Sequence, residues 1–335
     1  MRLVGQKMSN TLKNKTNNKG QVGMNNQLAR WRKSPAFYPL LGFVFIFIMM
    51  VFINDNFLTT NNLSNVARQV SINAIIAVGM TFAILTGGID LSVGSVMALS
   101  GTIAAGLMMA GFSPELGILG GLLVGALFGG LNGAFVAYAK MPPIIVTLAT
   151  MGIARGLGLI YTGGYPISGL PKEFSFFGRG DVVGVQTPII VMIVVYIFAY
   201  ILLNKTPIGR YVYAIGGNEE AARLSGVRVP RYKLMVYTIS GFTAAIAGMV
   251  LTSRLMSGQP NAGVGFELDA IAAVVLGGTA IAGGRGAIVG TLVGAMMLGV
   301  LNNGLNLMGV SPYVQNVIKG AIILLAIYIS RSRDK

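Results

Sequence analysis

Apolar runs broken by short polar or glycine-rich segments set the pattern of this chain. In order they fall at 37–53, 68–86, 92–111, 116–138, 143–161, 188–204, 234–255, 268–282, 286–305 and 313–330. A helix crosses the hydrocarbon core of a bilayer with about 20 apolar residues rising 1.5 Å each. Inside lipid, only helices and closed barrels satisfy their own backbone. The runs therefore predict an all-α, polytopic integral membrane protein of about ten transmembrane helices. Residues 1–36 break the pattern: rich in Asn, Lys and Gly, they read as a disordered basic tail before a transmembrane domain at 37–335. The tail shows neither the early apolar region nor the small-residue cleavage site of a signal peptide.

Composition agrees with this class. The 335 residues are 54% hydrophobic and only 10% charged, where a soluble chain carries about a quarter charged residues. The net charge of +15 is not laid out as a nucleic-acid groove. Basic residues gather in the tail, in the 204–233 loop and at the C-terminus, each beside an apolar run, which is the positive-inside pattern. Ten crossings with both termini cytosolic put Lys140, Arg285 and that loop inside, and Lys172 and Arg179 outside, as expected of a multi-pass protein of the cytoplasmic membrane.

Catalytic chemistry is poorly provided for. There is no cysteine and no histidine, so thiol nucleophiles, thiolate metal sites and the commonest general base are absent. The ten acids are scattered, and no Gly-Lys dipeptide exists to form a P-loop. The sequence thus offers no catalytic residue, metal site or cofactor site, and whatever energy the protein uses, it is not expected to hydrolyse ATP by itself.

Two features stand out against the apolar background. Asp90 lies in "LTGGIDLSVGS" (85–95), where Gly87 and Gly88 end one run and Asp90 or Ser92 can cap the next. An ionisable residue among membrane spans is by default a functional candidate, so contact with substrate or a partner is the competing role; capping outweighs it. A second glycine-rich hairpin, Leu276–Gly286, falls at the same end of the spans and hints at an internal repeat. Most of the 47 glycines, as in "GGLLVGALFGGLNGA" at 120–134, read as close helix contacts.

The other feature is the loop 204–233. Asn218 can cap a helix with Glu219 and Glu220 in its first turn, favourable against the helix dipole, and Gly226 can end it. About eight residues span only some 12 Å, too short to cross a membrane. Such a helix is either an interfacial connector or a docking element that owes its order to a partner.

Here "YAIGGNEEAARLSGVRV" (213–229) resembles the coupling-helix segment of permease subunits from ATP-binding-cassette sugar importers of the ribose, xylose and arabinose type. The segments 77–101, "AVGMTFAILTGGIDLSVGSVMALSG", and 265–310 resemble the same family, and the match runs from Phe57 to Ile329. The resemblance implies an importer subunit that carries a monosaccharide, ribose first among the candidates. It also implies an ATP-binding subunit inside the cell, an extracytoplasmic sugar-binding protein and pairing of two permease copies as a homodimer. By that resemblance Gly217, Asn218, Glu219, Ala221, Ala222, Ser225 and Gly226 meet the ATPase.

A path for a neutral polyol would be lined by amides and hydroxyls. Asn73, Thr81, Asn132, Asn302, Asn303, Asn306, Gln315 and Asn316 lie in or near spans, and helix–helix hydrogen bonding competes with substrate contact at each. Arg155 and Lys319 are the basic residues deepest in apolar runs. Arg155 can snorkel outward, whereas Lys319 needs water or a partner such as Glu267 or Asp269. The rival is an ion-coupled secondary sugar transporter, disfavoured because only Asp90 stands clearly among the spans. A channel or membrane-enzyme scaffold is more distant, lacking any filter or reactive constellation.

Overall fold

The structure is a computed structural model that describes residues 37–332; the expected tail at 1–36 lies outside the described residues. The chain is a helical bundle with helices α1 (Phe37–Ile53), α2 (Thr60–Leu85), α3 (Val93–Met109), α4 (Pro114–Ala137), α5 (Pro143–Thr162), α6 (Phe176–Arg179), α7 (Thr187–Lys205), α8 (Pro207–Gly217), α9 (Glu219–Leu224), α10 (Val229–Leu255), α11 (Phe266–Leu276), α12 (Ile288–Leu307) and α13 (Pro312–Ser332). Among the described residues, six helices are long and apolar enough to cross a membrane: α2, α4, α5, α7, α10 and α12. The apolar helices α1, α3 and the 312–325 part of α13 are shorter.

Local chemistry sets the boundaries. Ser113 accepts from the Leu116 N–H and Pro114 opens α4, since proline lacks the amide hydrogen that the first turn leaves unused. Proline likewise begins α5 and α8, and the left-handed Gly163 ends α5. Two boundaries depart from the apolar runs. Helix α2 starts eight residues before the expected 68, because its polar first turns are held by tertiary bonds: Asn62 and Asn303 exchange amide hydrogen bonds at 2.9 and 2.7 Å. The run 268–282 yields only the 11-residue α11, about 16 Å long and half a hydrocarbon core. After α11 the chain, with left-handed Gly278, Gly283 and Gly284, forms a partly buried loop up to α12.

The core sits along α2, buried continuously from Val70 to Leu85, with α10, α12, α7 and α11 around it. Helices α4 and α10 meet backbone to backbone: a Cβ on Gly125 would fall 2.4 Å from the Gly241 carbonyl oxygen, and one on Gly129 2.3 Å from that of Tyr237. Only glycine allows this approach, and dispersion over the close faces holds helices together where lipid offers no hydrophobic drive.

The same contacts fix depth. Gly125 lies midway along α4 and touches Ala245 of α10, while Gly248 touches the Met97 carbonyl of α3. Gly94, about one turn before Met97, is therefore level with the middle of the bundle. A Cβ there would lie 2.2 Å from the Gly263 oxygen and 2.7 Å from Glu267 Oε2. At the end of the bundle away from α9, the antiparallel pair β1 (Ile167–Ser168) and β2 (Ser257–Gly258) closes over α3, with Gly258 against Ala105. From β2 the chain thus descends, without helix, to mid-depth before α11 begins.

Candidate functional site

The 204–233 loop folds into two helices and a projecting cap. Asn218 Oδ1 accepts from the Ala221 N–H at 2.9 Å, and Glu219 and Glu220 occupy the first turn of α9. After Ser225, the left-handed Gly226 (φ 85°) releases the chain. Ala222 is the one residue of α9 that is buried, packed with Ile215 and Val229. An ion pair of 2.6 Å joins Glu219 to Lys233 of α10. Everything else on α9 faces outward, including Leu224, which is 79% exposed. The Arg223 guanidinium is held further above its ordinary pKa by its hydrogen bond to Glu220, so it stays charged.

Immediately before α9, Gly216 and Gly217 lie against both glycine hairpins. The Gly284 N–H donates to the Leu85 carbonyl at 3.0 Å. A Cβ on Gly216 would fall 1.8 Å from that same Leu85 oxygen and 2.4 Å from the Gly284 nitrogen. Gly283 in turn rests on Gly87, and Tyr213 of α8 donates to the Gly286 carbonyl at 3.0 Å. Beside this joint is a cavity of about 380 Å³ whose wall includes Thr86, Gly88, Gly216, Glu219, Lys233 and Tyr237. Three segments distant in sequence are keyed together by their backbones. The contacts of Gly216 with both hairpins thus have no flexible side chain in between.

Asp90 is fully buried. Its Oδ1 accepts from the Ser92 N–H at 3.0 Å and the Ser92 hydroxyl at 2.6 Å, and Asn132 donates to that hydroxyl at 2.8 Å. The carboxylate organises the chain just before α3, and Thr147 of α5 donates to the neighbouring Ile89 carbonyl at 3.2 Å. The first hairpin is thus joined to α4 through Ser92 and to α5 through Ile89; the expected cap is not formed, because Ser92 makes no side-chain cap bond and Asp90 bonds Ser92, ahead of the first turn of α3.

The comparisons with known proteins bear directly on this architecture. A family model described as the branched-chain amino acid transport system / permease component matches residues 62–327. The chain belongs to this permease family. It is 52% identical over 298 residues to the ribose import permease protein RbsC of Bacillus subtilis (strain 168), covering 88% of this chain and 92% of that protein. The RbsC protein of Escherichia coli (strain K12) is 46% identical over 299 residues, with 88% and 93% covered. The D-allose transport system permease protein AlsC of the same strain is 40% identical over 306 residues, with 91% and 93% covered. No solved structure matches the chain.

In this permease-family chain the polar residues expected along a path do not converge. Asn303 is taken up by Asn62, and Gln315 donates to Asn306 Oδ1 and the Val310 carbonyl, both at 2.8 Å. Thr81 and Thr291 share a hydrogen bond of 2.9 Å between α2 and α12. Asn73 and Asn302 are buried in those same two helices, and Asn316 is exposed on α13. Lys319 pairs with Asp269 at 3.0 Å, joining α13 to α11. Arg155 behaves otherwise: its Nη1 donates to the carbonyls of Pro260 and Ala262, each at 2.9 Å, pinning the descending segment before α11. Reasoning from sequence missed the joint at Gly216 and the approach at Gly94. The paired glycines of "AIGGN" were the one signal for the first, and nothing marked the second.

Proposed function

We infer that this chain is the membrane-spanning permease subunit of an ATP-driven importer, and that its sugar is ribose. The observation that carries this is 52% and 46% identity, across nearly the whole length of both partners, to proteins named ribose import permease. Identity at 40% to the allose and L-arabinose permeases supports a monosaccharide as the wider substrate class. The chain supplies the path; a separate ATP-binding subunit supplies the energy, and an extracytoplasmic binding protein delivers the sugar. Two copies pair to complete the pore. The ten crossings are kept if 257–276 crosses once, half in non-helical turns and half helical, and both termini then lie in the cytosol.

Helix α9 is the docking element for the ATP-binding subunit, through Gly217, Asn218, Glu219, Ala221, Ser225 and Gly226; Ala222, expected from the resemblance to share that contact, is buried against Ile215 and Val229 and seats the helix instead. Support comes from its cap, its outward face and its seat on the glycine joint. Movement of α9 on ATP binding would shift both hairpins and, through them, α2, α3 and α12. The test is labelled ribose uptake into proteoliposomes with the ATP-binding subunit, the binding protein and ATP each added or withheld. Uptake that needs all of them is expected; uptake by this chain alone on an ion gradient would overturn the proposal.

A further inference from the structure

Midway through the bundle, one open face carries polar groups that lipid would not tolerate. Arg155 of α5 and Glu267 in the first turn of α11 are both partly exposed and are electrostatic neighbours. Gln259 is partly exposed and Asn261 exposed, on the non-helical segment between them. Beside them Val264 is 70% exposed, and a Cβ on Gly152 or Gly156 of α5 would meet nothing within 4 Å. The depth is fixed by Gly94, whose Cα faces Gly263 and Glu267 Oε2 halfway along α4 and α10.

Two physical arguments exclude lipid from this face. Ionisable side chains at mid-membrane face the bundle interior or a water-filled passage. Non-helical backbone at that depth is tolerated only where protein covers it or water reaches it. Substrate sites of transporters built on interrupted helices lie at this depth for the same reason. The hydrogen-bonding capacity is also incomplete. Among the described residues, Arg155 uses only Nη1, on Pro260 and Ala262, although a guanidinium has five N–H donors. Among the same residues Glu267 uses only Oε1, accepting from the Gly265 N–H at 3.3 Å.

We propose that Arg155, Gln259, Asn261 and Glu267 form the polar station over which the sugar passes halfway across the membrane; the assignment of the solute rests on the ribose reading above. The chemistry suits a neutral polyol. Adjacent hydroxyls donate to the open Glu267 oxygen and accept from the remaining Arg155 N–H groups, and the two amides serve either need. The pair carries no net charge, so an ion gains nothing there. Few contacts mean weak binding, which a path requires for release.

The chain has no cysteine, so single cysteines report without background. Val264→Cys, Asn261→Cys and, as a control on an exposed helix face, Leu127→Cys are placed in the full complex in proteoliposomes and treated with a charged, membrane-impermeant thiol reagent. Labelling at 264 and 261 at least tenfold faster than at 127 is expected, slowed severalfold by ribose with its binding protein. Labelling no faster than at 127 would overturn the station. In the same complex, Glu267→Gln and Arg155→Gln are expected to lower ribose uptake at least tenfold while sugar-loaded binding protein still stimulates ATP hydrolysis. Normal uptake in both would overturn it as well. Loss of uptake and of that stimulation together would mark both residues as structural supports and overturn it. Failure of the unaltered complex to move ribose, with 264 and 261 still labelled, would refute the sugar and leave the water-filled path standing.

Discussion

Replacing Gly216 by alanine tests whether the glycine joint transmits force. Gly216 has an ordinary helical backbone, so the substitution brings no conformational strain and even gains about 1 kcal/mol of helix propensity. The added methyl, however, would sit 1.8 Å from the Leu85 carbonyl oxygen and 2.4 Å from the Gly284 nitrogen. Non-bonded contacts settle near 3.5 Å, so α8 must withdraw by roughly 1.5 Å. Both neighbours are backbone and cannot rotate aside, and the Gly284–Leu85 hydrogen bond lies in the way. Overpacking of this kind costs about 1–3 kcal/mol, and 2 kcal/mol is roughly thirtyfold in the balance between two arrangements. Gly320 of α13, also helical, has nothing within 4 Å of a Cβ and lies outside the coupling region, so it is the control. In proteoliposomes with both partner proteins, Gly216→Ala is expected to lower ribose uptake at least tenfold and to abolish the response of ATP hydrolysis to sugar-loaded binding protein. The amount of chain in the membrane should stay near normal, and Gly320→Ala should behave as the unaltered protein. Normal coupling in Gly216→Ala, or equal damage in Gly320→Ala, would refute the joint.

Three further outcomes follow from the geometry. Asp90→Asn keeps an acceptor for Ser92 and should stay within about 1 kcal/mol of the parent in thermal unfolding, whereas Asp90→Leu strands buried donors and should cost about 2–4 kcal/mol; equal losses would mean that the charge itself matters. Lys319→Met leaves Asp269 buried without its partner and should cost about 3 kcal/mol in the same measurement, with Lys319→Met/Asp269→Leu recovering most of it; a double variant no better than the single would refute the pairing. Asn218→Pro, which removes both the cap and the Asn218 N–H bond to Ala214, and Glu219→Lys, which confronts Lys233, should abolish uptake without reducing membrane insertion. Normal ATP-dependent uptake in both would remove α9 from the coupling role.

The apolar runs located the helices because in a membrane protein burial and hydropathy nearly coincide. They failed where the two part company. The first turns of α2 are polar yet ordered, since Asn62 finds Asn303 far along the chain, and no local pattern encodes that pairing. The run at 268–282 is apolar enough to look like a span, but hydropathy is blind to φ, and the helix stops at Leu276, just before the left-handed Gly278. The cap at Asn218 was legible because its signals are adjacent in sequence. The joint it rests on was not, because Leu85, Gly216 and Gly284 meet only in three dimensions. The neighbours of Asp90 suggested a cap on α3, but its carboxylate bonds Ser92 ahead of that helix, and the link from Ser92 to Asn132 is again one that only three dimensions bring together.

The half-length of α11 also constrains how the chain is made. An insertion machine judges each emerging segment by its own hydrophobic length, and eleven helical residues preceded by Gln259, Pro260 and Asn261 fall short of a stable crossing. That segment cannot be handed to lipid by itself as it is synthesised. It must wait beside the exit channel until α12 arrives to cover it and Arg155 catches its carbonyls. The last stretch of the chain is therefore assembled as a unit, and damage to α12 should surface first as a failure of biogenesis.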